Sequence, residues 1–259
     1  MRWHFLGTSH GSPTVTRHQT VNLIEASGRY YLLDGGPAAH SLILQKGVEP
    51  QELSAVFITH MHGDHFGGVP GLMGSSIQFR KKCPDLQFTC YLPGTPKHFE
   101  FIVDTLKRYA EATRSYPLDT ICFRNYGEGV FFDDGVLKLT AFENGHYSEY
   151  CHNAGARSYS FLVECEGKKI FYSGDLSCSA EFADFRLDIA DGCDLVVCEA
   201  AHFPKEKALP LLKKIRMKEF VFNHVYLIPD GETVAFQKQV SDALGIPCRV
   251  LRDGDEWRG

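Results

Sequence analysis

The run Thr59-His60-Met61-His62-Gly63-Asp64-His65 decides how this chain is read. It packs imidazoles and a carboxylate into one short loop, directly after the apolar residues Leu53, Ala55, Val56, Phe57 and Ile58. A strand ending in His-x-His-x-Asp-His offers neutral imidazole nitrogens and carboxylate oxygens, the usual ligands of zinc and related borderline metals. The alternation sends His60 and His62 out together, and lets Asp64 and His65 turn toward a second, adjacent ion. Gly63 is expected to let the loop turn tightly without a Cβ clash.

A chain of 259 residues can bury a full core. With 44% hydrophobic and 23% charged residues, nothing argues for general disorder. That size fits one large domain or two fused halves. The net charge of −5 gives no general attraction for long nucleic acid or for an anionic membrane. Arg80-Lys81-Lys82 and Lys213-Lys214 with Arg216 are the basic clusters, and both read as solvated surface. The nine cysteines form no Cys-x-x-Cys pair, and Met1-Arg2-Trp3-His4 leads into no signal-like apolar core. No apolar run reaches transmembrane length. These features suggest reduced thiols and a cytoplasmic location.

Val21–Ala26 and Arg29–Asp34 read as a hairpin around Ser27-Gly28. A helix is expected from Ala38 to Lys46, closed by Gly47, and a buried strand from Val56 to Thr59. The glycines and proline from Gly67 to Gly74 suggest a loop or a short helix start. Phe88 to Leu92 is a further strand. Thr95-Pro96 opens a helix with Phe99, Ile102, Val103, Leu106 and Ala110 on one face. Later strands are expected at Val136 to Ala141, Tyr159 to Glu164, Lys169 to Tyr172, Leu195 to Cys198, Phe220 to Phe222 and Ile246 to Leu251. Asp230 is read as the cap of a helix that buries Phe236, Val240, Ala243 and Leu244 and stops at Gly245. Strands followed by mixed strand and helix, twice over, predict two packed β-sheets with helices on their outer faces.

A two-metal centre needs ligands from more than one loop, with an open position for water. His146, Asp175 and His224 each follow an apolar strand, where loops present functional groups on a rigid frame. With the histidine run they complete a set of five histidines and two aspartates.

This pattern resembles the metallo-β-lactamase superfamily, which implies an α/β fold built as a four-layer αβ/βα sandwich of two mixed sheets flanked by helices. The resemblance assigns His60, His62 and His146 to one metal, Asp64, His65 and His224 to the other, and Asp175 to the bridge. Phe5-Leu6-Gly7-Thr8-Ser9-His10-Gly11-Ser12-Pro13-Thr14, Leu33-Asp34-Gly35-Gly36, Tyr91-Leu92-Pro93-Gly94-Thr95, Tyr172-Ser173-Gly174-Asp175 and Cys198-Glu199-Ala200-Ala201 are similar to the ribonuclease Z group and related phosphodiesterases. That group's tRNA-gripping arm lies between the positions matching His146 and Asp175, and here they are only 29 apart. Where its enzymes carry His-Glu-Ala-Thr, this chain has Cys198 first and Ala201 fourth, with His202 close enough to replace the missing histidine.

Two divalent ions are expected, zinc first, with manganese or iron able to occupy similar sites. Such a pair lowers the pKa of a bridging water and polarises the oxygen that gains charge, so the nucleophile is a metal-bridging hydroxide. Asp64 is placed beside that water as proton acceptor or orienter. His202 is the candidate donor to the leaving group, and Glu199 the residue that orients it. Asp34 reads as the support of a ligand histidine. His10, Tyr147, Tyr150 and His152 are candidates for the pocket wall.

The leading expectation is a phosphodiesterase on small or short, cyclic or linear, nucleotide-like substrates. A lactonase or thioesterase on the same scaffold is the second reading, and a tRNA 3′-processing endonuclease without its usual arm is the third. A flavodiiron-type redox role is disfavoured, because such relatives place Glu where this chain has His62. A scaffold with a degenerate site would have lost ligands, and all seven are present. Homodimers are common in the group, so a dimer is a further expectation from the resemblance.

Overall fold

The computed structural model describes residues 1–79, 87–94, 100, 104–105, 108, 121–148, 155–177, 184–202, 205–226 and 228–259. Its first half contains β1 (Arg2–Gly7), β2 (Val21–Ala26), β3 (Arg29–Gly35), α1 (Ala39–Gln45), β4 (Leu53–Phe57), α2 (Gly63–Phe66), α3 (Val69–Phe79), β5 (Phe88–Pro93) and β6 (Ile121–Tyr126). Its second half contains β7 (Gly129–Asp133), β8 (Leu137–Glu143), β9 (Tyr159–Cys165), β10 (Lys168–Tyr172), α4 (Leu187–Ala190), β11 (Cys193–Ala200), α5 (Lys205–Leu212), β12 (Met217–Val225), α6 (Thr233–Leu244), β13 (Cys248–Val250) and β14 (Asp255–Arg258).

The described strands form two seven-stranded sheets, ordered β14-β1-β2-β3-β4-β5-β6 and β13-β12-β11-β10-β9-β8-β7. The halves repeat one plan. In each sheet a run of antiparallel pairs gives way to a run of parallel ones, at β3–β4 in the first and β10–β11 in the second. β14 then returns antiparallel to close the first sheet against β1.

Side-chain alternation makes this a four-layer sandwich. Tyr31 and Leu33 face the second sheet, where they join Leu139, Phe161, Ile170, Tyr172, Leu195 and Val197 in one buried cluster. Leu32 between them faces outward, packing with Leu42 and Ile43 of α1 and Leu72 and Met73 of α3. In the same way Phe171 and Val196 turn away from the centre toward Ala190, Ala208, Leu212 and Val240 on the outer helices. Strands covered on both faces must read as continuous apolar runs, and they do. Among the described residues no helix is long and apolar enough to cross a membrane.

Several elements depart from the sequence reading. Of the two readings of the glycine-containing stretch, a loop or a short helix start, the structure takes the helix and extends it, as α2 and α3, because Phe66, Val69, Leu72 and Met73 are buried against the first sheet. β4 ends at Phe57, and Ile58 and Thr59 belong to the linker that follows. Asp230 caps no helix. Its carboxylate accepts from Arg17 instead, while Thr233 donates to the Asp230 carbonyl one turn ahead of α6. Strands β1, β6, β7 and β14 were not read from pattern at all, and β6 and β7 are half-exposed edges without clean alternation. The apolar positions of the helix expected from Thr95, and the Arg80-Lys81-Lys82 cluster, lie outside the described residues.

Close backbone packing lies behind α2. A Cβ on Gly68 would stand 2.1 Å from the Gly36 carbonyl oxygen, and one on Gly36 would stand 2.5 Å from the Asp64 carbonyl oxygen. A Cβ on Gly71, two residues into α3, meets nothing. Gly68→Ala should therefore destabilise the protein by about 1–3 kcal/mol or more, whereas Gly71→Ala should be neutral or stabilise it by about 0.5–1 kcal/mol. Urea unfolding of the two variants measures the contrast.

Burial pushes the thiols of Cys165 and Cys193 up to about 11 and that of Cys248 up to about 12. A raised thiol pKa leaves little thiolate at pH 8. Native protein should accordingly resist iodoacetamide at these three positions and react on unfolding, as peptide mass mapping would record.

Candidate metal centre

The seven expected ligands come from the ends of different strands and meet in one buried cluster. His60, His62, Asp64 and His65 follow β4, His146 follows β8, Asp175 follows β10, and His224 lies near the end of β12. The loop is fastened from both sheets. Tyr126 donates to the Ile58 carbonyl, the Tyr159 amide donates to the Thr59 carbonyl, and the Met61 amide donates to the Tyr147 hydroxyl. Gly63 is not the hinge expected of it. It is the first residue of α2, and a Cβ there would meet nothing.

Two groups of donors share Asp175. His60, His62, His146 and Asp175 form one, and Asp64, His65, Asp175 and His224 the other; in each group the ligand atoms lie within 4.8 Å of one another. In the first, His62 Nδ1 stands 3.1 Å from both His60 Nε2 and His146 Nε2. In the second, Asp175 Oδ1 is 3.3 Å from His65 Nε2, and Asp175 Oδ2 is 3.2 Å from His224 Nε2. Asp64 Oδ2 is 3.4 Å from His65 Nε2 and 3.8 Å from His224 Nε2.

The outward ring nitrogens fix which atoms carry lone pairs. His146 Nδ1 faces the Leu176 carbonyl at 3.1 Å, so it must carry the proton and donate. His65 Nδ1 likewise donates to Asp34 at 3.0 Å. The Thr59 hydroxyl donates to Asp34 and can only accept from His60 Nδ1. The Thr20 hydroxyl donates to the Ser9 carbonyl and accepts from His224 Nδ1 at 2.8 Å. Four histidines therefore point an Nε2 lone pair into the cluster. A proton on His62 Nδ1 can serve only one of its two close neighbours. His65 Nε2 and Asp175 Oδ1 are buried without a hydrogen-bond partner. Ring nitrogens and carboxylates converging in this way fit divalent cations.

The electrostatics agree. Burial, reinforced by neighbouring rings, holds His60 well below the usual imidazole range and brings His62 to about 4. Burial opposes the charged form of Asp64, yet the nearby rings of His65 and His224 bring that carboxyl to about 2. Asp175 is also held well below its usual range: burial works against it, and the charges of His224 and His65 prevail. For His65 the charges of Asp175 and Asp34 outweigh burial and raise it well above its usual value. The negative charge gathered around that ring is what a cation would answer.

Asp34 supports both groups. Its buried carboxylate accepts from the Thr59 amide and hydroxyl, His65 Nδ1 and the Tyr172 hydroxyl, and its own backbone sits at φ +57°. Glu199 is equally buried and saturated. Oε1 accepts from the Leu176 amide and His202 Nδ1, and Oε2 from the Ala201 and His202 amides. The His202 ring lies between the two groups, 4.8 Å from the His146 ring and 5.7 Å from that of His224. His10 packs on the exposed Tyr226 at 4.1 Å and meets His224 edge-on at 6.5 Å. Tyr147 covers His62 at 4.9 Å, whereas Tyr150 and His152 lie outside the described residues. Sequence reasoning missed Thr20, the Thr59 hydroxyl, Tyr172 and the Leu176 peptide. Thr59 and Tyr172 stand in the quoted motifs without a role that the motif reveals, and no local pattern marks Thr20 or Leu176, whose partners are brought by folding.

Fold and donor set together define a protein of the metallo-β-lactamase fold. Superposition bears this out with YhfI of Bacillus subtilis, a metallo-β-lactamase fold protein (TM-score 0.75, 16% identity, 100% of this chain and 99% of that one), and with the short form of human tRNase Z (TM-score 0.69, 21% identity, 100% and 99%). Within that fold, residues 1–223 match the family described as anti-Pycsar protein Apyc1, and the chain belongs to it. Among curated proteins it is similar to ribonuclease Z of Leuconostoc mesenteroides subsp. mesenteroides, 34% identical over 152 residues, or 58% of this chain. That match spans 46% of the relative, so the chain covers about half the length of the curated protein it resembles.

An amide in place of the Asp34 carboxylate would set an NH2 group against one of its donors. Asp34→Asn should cost at least about 1.5–3 kcal/mol, the worth of one hydrogen bond to a charged group. Chemical denaturation of the metal-free variant against metal-free wild type gives that number.

Proposed function

We propose that residues 1–259 form one domain that is a dinuclear metal-dependent hydrolase of small or short phosphodiesters, cyclic or linear and nucleotide-like. One observation carries this reading: two donor groups sharing Asp175, with His202 lying between them. His60, His62 and His146 would hold one ion, Asp64, His65 and His224 the other, and Asp175 both. Ions bound there would supply Lewis acidity toward a phosphoryl oxygen and lower the pKa of water.

The chain's own residues do the rest. Asp64, a carboxylate brought to about 2, is a poor base at neutral pH. It orients the attacking water through a hydrogen bond rather than keeping its proton. His202 gives a proton from Nε2 to the departing alkoxide. Glu199 holds the opposite nitrogen at 3.0 Å, which fixes the ring's direction and stabilises its charged form. Four donors lock Glu199 in turn, so the pair reaches the reaction already oriented.

Substrate size follows from charge and from chain length. Only 29 positions separate His146 from Asp175, too few for a protruding arm, and the net charge of −5 offers no general hold on a long polyanion. The phosphodiester reading also draws on the likeness to ribonuclease Z.

Metal-loaded protein should hydrolyse bis(p-nitrophenyl) phosphate, and Asp175→Ala should abolish turnover. On a substrate with an alkoxide leaving group, such as a cyclic nucleotide, His202→Ala should lower kcat by roughly 10²–10⁴-fold with little change in KM, as loss of a general acid does. On bis(p-nitrophenyl) phosphate, whose nitrophenolate leaves unprotonated, it should cost much less. Turnover of a lactone or thioester with none of the phosphodiester would replace this reading by carbonyl chemistry.

A further inference from the structure

Among the described side chains that touch the seven candidate ligands, Thr20 reaches a single donor group. Its hydroxyl meets one ligand nitrogen, His224 Nδ1, and His224 belongs to only one donor group. Asp34, by contrast, supports His65 directly and His60 through Thr59. Removing Asp34 would disturb both groups, and removing Thr20 would disturb one.

The surroundings of Thr20 are built to hold it still. It is fully buried, and its carbonyl accepts from the Gly36 amide at 2.8 Å. Isolated bridges join Ser9 to Gln19 on one side and to Val225 on the other. The Val225 amide donates to the Thr8 carbonyl at 2.7 Å, so the residues flanking His224 and Thr20 are pinned to the same short segment. His224 itself needs that support. It lies in the left-handed region at φ +52°, beside the irregularity where β12 falls out of register with β11. Such a backbone costs free energy and persists only where neighbours over-determine it.

Hydrogen counting completes the case. A hydroxyl has one proton, and the Ser9 carbonyl, which can only accept, takes it. The His224 ring must then donate from Nδ1, which keeps its Nε2 lone pair toward Asp64 and Asp175. With the hydroxyl gone, no acceptor would hold the proton on Nδ1, and the opposite tautomer, its proton toward Asp175, points that proton where a cation would sit.

We propose that Thr20 is a positioning residue for His224 and sets the affinity of one of the two metal ions, leaving the other unaffected. This rests on the dinuclear reading above. The test is zinc titration of metal-free protein by isothermal calorimetry, with bound zinc counted by elemental analysis. Wild type should take two equivalents. Thr20→Val, close in volume but without the hydroxyl, should keep one equivalent at wild-type affinity and bind the second roughly 10–100-fold more weakly. Thr20→Ser should restore it. The retained equivalent shows that the valine variant is folded.

The outcomes separate the two ideas. A wild type that binds fewer than two equivalents overturns the dinuclear reading and this inference with it. Two full-affinity equivalents in Thr20→Val overturn the inference alone. Loss of both equivalents, or no rescue by serine, overturns it as well, since a merely structural residue would behave that way.

Discussion

The buried carboxylate of Asp34 is the constraint on which the rest of the structure depends. An ionised group without water is costly, and it is tolerated here because four donors meet it. Those donors come from separate places: the Thr59 amide and hydroxyl after β4, His65 in α2, and Tyr172 at the end of β10. One carboxylate thus ties the first sheet, the histidine loop and the second sheet together. It also dictates ring orientation, since the Nδ1 protons of His65 and, by way of Thr59, His60 are drawn toward it. Chain direction at that point is unusual as well, because the residue sits in the left-handed region.

The repeated plan of the two halves explains why so many polar groups can gather without loosening the core. Each sheet turns from antiparallel to parallel pairing partway across. The loops that leave β3, β4, β10, β11 and β12 then share one edge of the sandwich, and functional groups stand on rigid strand ends. Below them the interior is apolar, with Trp3, Phe5, Tyr31, Phe57 and Phe161 fully buried. Family membership and the metallo-β-lactamase fold agree with this division of labour between an apolar frame and a polar rim.

Much of this was legible in the sequence, for identifiable reasons. Strands buried on both faces announce themselves as unbroken apolar runs, and the candidate ligands as histidines and aspartates directly after them. Glu199 was legible because an ionisable residue at the end of an apolar strand needs a partner. The edges β6 and β7 were not, since half-exposed strands lose the alternation that marks them. Nor was the helical state of α3, where tertiary burial of Val69, Leu72 and Met73 overrides the breaking tendency of Gly71 and Gly74. Asp230 has the composition of a cap, and only the folded chain brings Arg17 close enough to claim it. Gly63 shows the opposite error: a glycine beside a metal loop invites a conformational explanation that its geometry does not require. The demanding glycines are Gly36 and Gly68, whose backbones meet behind the loop.

Leu176 offers no functional side chain, yet its peptide groups join two parts of the site. Its carbonyl takes the proton of His146 Nδ1, and its amide donates to Glu199, which holds His202. Both ends of this relay are anchored in one residue, immediately after Asp175. His146, Asp175 and the Glu199 carboxylate that holds His202 therefore cannot drift independently; a shift in one is transmitted along a covalent stretch two residues long. For anyone redesigning this chain, the practical unit of inheritance is that dipeptide with its contacts. A substitution at Glu199 would carry a changed setting of His146 and Asp175 with it.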